Sequence, residues 1–211
     1  MKHLHSELIA QLPSRYRANL INSCTGYKPC TLIATKSNNG ISNLAIFNSI
    51  VHMGSDPAML GFILRPLTVN RDTYKNLTQS GFFTVNQVHK DMIFDAHHTA
   101  AKYPEPISEF DKTNLTESFL DEFPVPYVKE STIKIGCRYC NDYEIKENGC
   151  LLVIGAIEHI YLPEEIIQKD GWVKLDDIDT VANIGLDGYA LPQLITRFRY
   201  AKPDEPTQKL R

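Results

Sequence analysis

Short β-rich runs bounded by turn signals recur along most of this chain, and they constrain its fold more than any other feature. The runs are TLIAT at 31–35, FFTVNQV at 82–88 and two long stretches at 131–145 and 150–161, which the polar turn KENG joins. Only a few segments with helical spacing lie between them, and the sequence contains no G-x-G-x-x-G or G-x-x-x-x-G-K-[ST] nucleotide cradle. The pattern therefore favours a mainly β chain folded as a barrel, with a few peripheral helices, over a parallel α/β sheet.

Turn residues and prolines divide the first third of the chain. The turn SNNG at 37–40 follows TLIAT and predicts a hairpin whose second strand begins at Ile41. DPAMLGFILRP, which starts at Asp56, predicts a third strand after a proline-marked turn. Apolar residues at helical spacing over 3–12 predict an N-terminal helix that Pro13 ends.

A second helix is expected immediately before FFTVNQV. It carries Tyr74 and Leu77, and Asn70 or Asp72 is positioned to cap it. Gly81 is expected to end this helix, because glycine readily adopts the left-handed conformation that closes many helices.

The middle of the chain is expected to be less regular. Residues 90–103 have helical spacing, and Pro104 and Pro106 end that segment. The proline-containing stretch 106–131 predicts a long excursion over the surface with short turns. The chain length and the lack of internal repeats predict one domain over residues 1–200 with a loose C-terminal tail at 201–211.

Charge and hydropathy exclude several partners. With 22 basic and 25 acidic residues, the net charge of −3 gives no electrostatic reason to expect binding to nucleic acid or to an anionic membrane. Residues 1–23 lack the apolar core of a signal peptide, and the apolar run at 150–157 is too short to span a bilayer. A cytoplasmic protein is therefore expected.

Cysteine and histidine spacing does not indicate a metal centre. Cys137 and Cys140 form a C-x-x-C, but no second pair follows at a zinc-binding distance. The alternating run around them predicts a strand with thiols packed as small apolar groups, and a redox dithiol or a metal site is the alternative. His97 and His98 would point about 100° apart on a helix, so they cannot bind one metal from the same face. We predict no metal ligand and no catalytic side chain.

The predicted helix start at RDTYKN has the chemistry of a phosphate site. Unsatisfied backbone N–H groups, the guanidinium of Arg71 and the hydroxyl of Thr73 would together suit one phosphate. Asp72 and Asn76 lie in the same turns. The alternative is an ordinary helix cap with a surface ion pair between Arg71 and Asp72.

A second candidate lies in SNLAIFNSIVH at 42–52. Asn43, Ala45, Asn48 and Ser49 introduce small and polar residues into an otherwise apolar strand. Such a strand could present its backbone to a flat ligand, with amide and hydroxyl groups for the polar edge. The alternative is an irregular strand end whose polar groups bind each other.

Five segments, taken in order, resemble the flavin reductase-like family of FMN-binding split barrels. They are SNLAIFNSIVHMGSDPAMLGFILRP, RDTYKNLTQSGFFTVNQV, AAKYPEPISEFDKTNLT, CLLVIGAIEHIYLPEEI and NIGLDGYA. The family carries patterns of the type N-x-A-P-F-S, D-P-P, K/R-D-T-x-x-N and G-x-F-x-V-N in the same order. The resemblance extends from about Thr31 to Tyr189.

The resemblance implies a Greek-key split barrel that forms a homodimer and binds FMN noncovalently near the subunit interface. Arg71 and Thr73 would bind the flavin phosphate, and Asp72 and Asn76 would hold that turn. The residues implied to line the isoalloxazine and the ribityl chain are Asn43, Ala45, Phe47, Asn48, Ser49 and Ile50.

Several positions depart from the family pattern, and one of them is Ile46, which stands where the family has proline. Asn48 stands where the family has serine, so an amide replaces a hydroxyl at a position expected to touch the cofactor. Asn183 stands where many members have an arginine before the glycine and tyrosine. These departures leave the hydride donor open, and the sequence also leaves open whether Tyr189 covers the cofactor or supports the fold.

The activity implied by the resemblance is an NAD(P)H:flavin oxidoreductase, with NADH or NADPH as cosubstrate. Hydride transfer to a flavin needs no acid or base side chain from the protein. The alternatives are an FMN-bound electron carrier of the flavoredoxin type, reduced by a protein partner, and a barrel that has lost flavin and binds another small molecule. A monooxygenase or an electron-transfer protein is a possible recipient of the electrons.

Overall fold

The computed structural model describes residues 1–210, and this part of the chain forms twelve strands and four α-helices. The helices are α1 (Ser6–Gln11), α2 (Ser14–Cys24), α3 (Asp72–Ser80) and α4 (Ile93–His98). The strands are β1 (Lys28–Pro29), β2 (Thr31–Lys36), β3 (Ser42–Phe47), β4 (Val51–Ser55), β5 (Ala58–Leu64), β6 (Phe82–Gln87), β7 (Glu117–Ser118), β8 (Tyr127–Val128), β9 (Lys134–Ile145), β10 (Cys150–Tyr161), β11 (Ala182–Ile184) and β12 (Gly188–Ala190). Short 3₁₀ turns lie at Lys90–Met92, Glu109–Lys112, Glu164–Ile166 and Leu175–Ile178.

Seven antiparallel strands form one sheet in the order β3-β2-β6-β9-β10-β5-β4. Its two edge strands, β3 and β4, are consecutive in the chain and are separated only by Asn48, Ser49 and Ile50. A flat sheet of this order would hold its edges roughly 29 Å apart, whereas three connecting residues span at most about 14 Å. The sheet must therefore curl into a barrel, and the structure confirms the mainly β split barrel expected from the sequence.

Two bulges help the longest strands to bend around the barrel. The β9–β10 ladder shifts register between Ile154 and Gly155 and again between Ile157 and His159. Bulges bend a strand and increase its twist. A Cβ at Gly155 would lie 2.5 Å from Cζ of the buried Phe83 ring, so this bend accommodates only glycine without displacing the ring.

Successive side chains of β2 point to opposite faces of the sheet and contribute to two separate apolar clusters. The inner one fills the barrel and includes Leu77 from α3, and its buried members are Ile33, Leu60, Phe62, Leu64, Leu77, Phe83, Val85, Cys137, Leu151 and Val153. The outer one lies between the sheet and α4, and its buried members are Cys30, Leu32, Ala34, Leu44, Val88, Met92, Ala96, Phe110, Leu115, Val128 and Val181. Because β3 contacts both clusters, it is held between the barrel interior and the α4 layer.

The hairpin of β11 and β12 forms a small second sheet with β1. Lys28 of β1 pairs with Asn183, and Asn183 pairs with Tyr189 across the hairpin. Helix α2 packs against its turn, where a Cβ at Gly185 would lie 2.8 Å from Oγ of Ser23. The hairpin is thereby fixed beside the β3–β4 connection.

Several expected elements are confirmed. The N-terminal helix before Pro13, the β2–β3 hairpin, β6 and β10 are present, and the predicted and observed bounds of β10 agree. Helix α3 ends at Gly81, which has a φ of +78° and donates its N–H to the carbonyl of Leu77.

The predicted cap of α3 is wrong. Arg71, not Asn70 or Asp72, occupies the N-cap position, and its side chain makes no capping bond. The side chain of Asn70 instead donates to the carboxylate of Asp72 at 2.8 Å.

The expected long helix at 90–103 is also wrong. A 3₁₀ turn leads into α4, which ends at His98. The hydroxyl of Thr99 donates to the carbonyl of Ala96 at 2.8 Å and so competes with continuation of the helix.

Residues 106–131 do not run only over the surface, as their prolines suggested. They bury several large side chains, namely Phe110, Leu115, Phe123, Val125, Tyr127 and Val128. The free energy gained by burying these apolar side chains exceeds the cost of the irregular backbone that the prolines impose.

The C-terminal segment turns back on itself. Phe198 and Lys209 form an antiparallel bridge, and the N–H of Leu210 donates to the carbonyl of Arg197. The last residue of the predicted tail, Arg211, lies outside the described residues. Among residues 1–210, no helix has both the length and the apolar character needed to cross a membrane.

Candidate functional site

The first turn of α3 presents backbone N–H groups without a side-chain cap. Arg71 has extended dihedral angles, and the helix begins directly after it at Asp72. The first N–H groups of a helix have no intrahelical acceptor, and the helix dipole makes this end positive. The turn is therefore suited to an anion.

Arg71 adds a second indication of an anion at the same place. Its Nε is buried and has no hydrogen-bond partner among residues 1–210, and no carboxylate of this part of the chain forms an ion pair with it. The alternative surface pair between Arg71 and Asp72 is thus not formed, since Asp72 binds Asn70. A buried donor without a partner is costly, and an anion such as a phosphate would satisfy it.

A buried polar network connects α3 to the barrel wall. Asn43 on β3 donates from Nδ2 to Oγ1 of Thr73 at 3.1 Å, and this nitrogen lies 3.5 Å from Oγ1 of Thr35. Asn76 donates to the same Thr35 oxygen at 3.3 Å. Thr35, Thr73 and Asn76 are buried, and Asn43 is half-buried. The network brings together three predicted site residues and fixes where α3 begins relative to β3.

A small cavity lies beside this network. Its volume is about 10 Å³, which is room for roughly one water molecule and far too little for a flavin ring. Its walls include Ser42, Asn43, Asp72, Asn76, Tyr103 and Glu109.

Glu109 covers the outer edge of β3. Its Oε2 accepts the N–H of Leu44 at 2.8 Å, which satisfies a backbone donor that no neighbouring strand reaches. Burial raises the pKa of the Glu109 carboxyl, the backbone N–H bonds partly oppose that shift, and the charge of Asp72 adds to it.

At the far end of β3, an amide chain joins the barrel to the β11–β12 hairpin. Nδ2 of Asn48 donates to Oδ1 of Asn183 at 2.8 Å and lies 3.5 Å from the carbonyl oxygen of Gly185. Nδ2 of Asn183 in turn donates to the carbonyl of Gly188 at 2.9 Å. Asn48 and Asn183, which both depart from the family pattern, are therefore bonded to each other.

The remaining predicted residues on and after β3 support the barrel with their side chains. The hydroxyl of Ser49 donates to the carbonyl of Ile63 at 3.0 Å and accepts its N–H at 3.1 Å. The Phe47 ring meets the Phe62 ring edge-on at 5.2 Å, and Ile50 packs against the same inner cluster. Ala45 pairs with Ile33 of β2 and is half-buried.

Tyr189 is tethered to α4. Its hydroxyl is 2.7 Å from Nδ1 of His97, and its ring packs against the outer cluster. Burial raises the pKa of Tyr189 to about 12. These contacts favour a role in supporting the hairpin.

The C-x-x-C pair is split between two environments. Cys137 is buried in the inner cluster, as the strand pattern predicted, and burial raises the pKa of its thiol. Cys140 is exposed, and both thiols are free. Within residues 1–210, no cluster of three or more His, Cys, Asp or Glu side chains is arranged to hold a metal ion.

Three residues of this region were not predicted as site residues. Thr35 links Asn43 and Asn76, Glu109 covers β3, and Asn183 orients Asn48. Asn183 was noticeable in the sequence only as a departure in NIGLDGYA. Glu109 was marked only as the acidic residue of the Glu-Phe pair in AAKYPEPISEFDKTNLT, one of the segments that resemble the family. Thr35 carried no signal, because its partners are distant in sequence.

Comparison with known proteins identifies relatives of the whole barrel. A family model, the flavin reductase like domain, matches residues 27–173. A protein of Shewanella frigidimarina NCIMB 400 designated a flavin reductase with a split barrel domain is 38% identical, with a TM-score of 0.92 over 95% of this chain and 100% of its own.

Two more distant structures share the fold. Nitrilotriacetate monooxygenase component B from Bacillus cereus is 19% identical, with a TM-score of 0.80 over 92% of this chain and 96% of its own. Flavoredoxin of Desulfovibrio vulgaris (Miyazaki F) is 21% identical, with a TM-score of 0.69 over 84% of this chain and 91% of its own.

Proposed function

The chain belongs to the flavin reductase like domain family, and on that premise we propose that it binds FMN noncovalently and transfers hydride from NADH or NADPH to the flavin. The observation that carries the proposal is the buried Nε of Arg71, which lacks a partner among residues 1–210 and lies at the uncapped start of α3. FMN brings a phosphate, which is the anion that such a site suits. The residues present therefore fit the cofactor.

Arg71, Thr73 and the first N–H groups of α3 would hold the phosphate. Thr73 accepts a hydrogen bond from Asn43, so its own hydroxyl proton is free to donate. Asp72 binds Asn70 and Asn76 binds Thr35, and both residues keep the turn in place without competing for the phosphate.

The ring end of the flavin would lie toward the other end of β3. Strands rise about 3.4 Å per residue, so Asn43 on β3 and Asn48 directly after its end are separated by at most roughly 17 Å of extended chain. FMN has its phosphate and its ring at opposite ends of a ribityl chain, and an extended ligand could follow β3 from α3 to the β3–β4 loop. Asn43, Ala45, Phe47, Asn48, Ser49 and Ile50 are the proposed lining residues, partly through backbone groups.

When bound, FMN supplies the redox chemistry by accepting hydride from the nicotinamide. The residues of this chain bind and orient the two ligands and exclude water. Backbone N–H groups directed at the ring would stabilise the negative charge of the reduced flavin. We assign no acid–base side chain.

An FMN-bound electron carrier is the second candidate. Asn48 and Asn183 favour it, because they replace residues of the family pattern near the position proposed for the ring. The carrier would receive electrons from a protein partner, as the likeness of the fold to a flavoredoxin suggests. The neighbour named as a monooxygenase component supports a monooxygenase as one recipient of reduced flavin.

We also propose a homodimer. Large apolar side chains are exposed along 191–200, and among them Ile195 and Tyr200 are 96% and 94% exposed. Contiguous exposed apolar groups of this kind mark contact surfaces. The family resemblance implies that FMN lies near the subunit interface, so flavin affinity should fall when the dimer dissociates. Sedimentation of a flavin-loaded monomer at micromolar concentration would contradict this.

The test of function is an anaerobic visible spectrum of the purified protein reconstituted with FMN, recorded before and after NADH and then NADPH. Bleaching by either nucleotide is the result expected of the reductase, and it identifies the donor. Bound flavin that stays oxidised until dithionite is added would favour the carrier. Failure to bind flavin would overturn both.

A further inference from the structure

The hydrogen-bond chain through Asn48 and Asn183 has a fixed direction. The carbonyl of Gly188 can only accept, so Asn183 must turn its Nδ2 toward it, at 2.9 Å. Oδ1 of Asn183 then faces Asn48 and can bind only the amide nitrogen, at 2.8 Å. The second acceptor near that nitrogen, the carbonyl of Gly185, requires the same orientation. The amide of Asn48 is therefore oriented by its partners.

This orientation leaves the Oδ1 of Asn48 free. It receives no hydrogen bond from residues 1–210, and it is not among the buried polar atoms of that range that lack a partner, so a ligand or solvent can reach it. The next side chain, Ser49, is already occupied with both backbone groups of Ile63. The polar side chains of the β3–β4 loop therefore leave one group for a ligand, the Oδ1 of Asn48, and this atom can only accept hydrogen bonds.

We propose that Oδ1 of Asn48 accepts a hydrogen bond from an amide-type N–H of the bound ligand, and that Asn183 is the positioning residue that keeps this oxygen directed outward. The inference rests on the proposed flavin function. A serine at position 48 could donate or accept, whereas the tethered amide accepts only. Two ligands carry the required donor: the flavin imide at N3–H and the nicotinamide carboxamide.

The first arm of the test measures the imide. Dissociation constants of FMN and 3-methyl-FMN, which lacks the imide proton, are measured by fluorescence titration of the apoprotein in the dark. If the imide is the donor, the wild type should bind FMN about 10- to 100-fold more tightly than the methylated analogue, because the bound analogue would cover the acceptor and leave it without a hydrogen bond.

Two variants separate hydrogen bonding from crowding. Asn48→Leu keeps the size of the side chain and removes the acceptor, so a steric penalty of the methyl group would persist while the hydrogen-bond preference is lost. Asn183→Ala keeps Asn48 and removes its tether. Both should lower the FMN preference by at least about fivefold, and the exposed Asn141→Ala should leave it unchanged. General loosening of the hairpin would weaken both flavins equally and would not change their ratio.

The second arm measures the carboxamide. The ratio of kcat/KM for NADH and for its reduced 3-acetylpyridine analogue, which lacks the carboxamide N–H, is compared in the same variants. A fall of this ratio with an unchanged flavin ratio would identify the nicotinamide as the donor. If neither ratio changes while FMN still binds, the inference is overturned and the proposed function stands. If the wild type binds no flavin, the proposed function itself fails.

Discussion

Asn43 on β3 donates a hydrogen bond to Oγ1 of Thr73 at 3.1 Å and so joins the barrel wall to the first turn of α3 across 30 residues of sequence. Both residues were expected to contact one flavin, at its ring or ribityl chain and at its phosphate. Their bond means that the position of the helix start depends on the position of the strand. Loss of this bond should therefore affect the stability of the apoprotein as well as ligand binding.

Replacement of Thr73 by valine should destabilise the apoprotein by about 1–3 kcal/mol, because the amide of Asn43 keeps only its long contact with Thr35. Thr73→Ser retains the hydroxyl and should cost less. Urea unfolding of the single variants and of the double variant with Asn43→Ala gives the coupling energy, which we expect to be at least about 0.5 kcal/mol. Strictly additive losses would show that the two side chains do not interact.

The buried hydroxyl of Tyr127 has no partner among residues 1–210, and a Cβ at Gly136 would collide with it. Tyr127→Phe should raise the free energy of unfolding by about 1 kcal/mol, because it removes an unsatisfied polar group. Gly136→Ala should cost about 1–3 kcal/mol in the wild type and less in the Tyr127→Phe background. A smaller residual cost is expected there, because the same Cβ would lie 3.1 Å from the Phe123 ring. Equal costs in the two backgrounds would contradict the assignment.

Local patterns predicted the elements that depend on local physics. The bounds of β10 follow from the alternation of its side chains, and the end of α3 follows from the left-handed conformation of Gly81. Each signal lies within a short stretch of sequence. An irregular strand end in 42–52 was one of the two interpretations of that segment, but the contact of Asn48 with Asn183, 135 residues away, was not predicted. Likewise, prolines around Phe123 suggested a surface segment, but tertiary burial decides its position.

The candidate site could be predicted only in its residue types. Arg71 and Thr73 were recognisable because a phosphate site at a helix start is a local arrangement. Which donor stays unpaired is decided by the neighbours, since Asp72 binds Asn70 and leaves Arg71 without a carboxylate among residues 1–210. The role of Glu109 depends on a contact with Leu44 across 65 residues, so no local pattern predicts it.

Glu109 should make stability depend on pH. Burial raises its pKa in the folded protein above the ordinary value of 4.5, so between these two values the folded state binds more protons than the unfolded state. Its contribution to the free energy of unfolding therefore decreases as pH rises through that window and is constant on either side. Glu109→Gln keeps an acceptor for the N–H of Leu44 but cannot titrate, so its stability should decline less between pH 4.5 and 7.

Urea unfolding at a series of pH values measures this difference. Glu117→Gln, which removes an exposed carboxylate on β7, is the control for the loss of one negative charge. If Glu109→Gln follows the wild-type dependence on pH, the carboxyl of Glu109 does not contribute to it.

Replacement of Arg71 by alanine should weaken FMN binding far more than riboflavin binding, because only FMN carries the phosphate. Charge-assisted hydrogen bonds contribute about 1.5–3 kcal/mol, which corresponds to a loss of roughly 10- to 150-fold for FMN. Riboflavin should lose little, and Arg71→Lys should lie between, since it keeps the charge but not the planar fork. Arg138→Ala, which removes an exposed arginine paired with Glu158, should leave both affinities unchanged. The two flavins share the ring and the ribityl chain. Equal losses of affinity for both in Arg71→Ala would therefore show that Arg71 does not bind the phosphate. The uncapped start of α3 would then be tested by Thr73→Val.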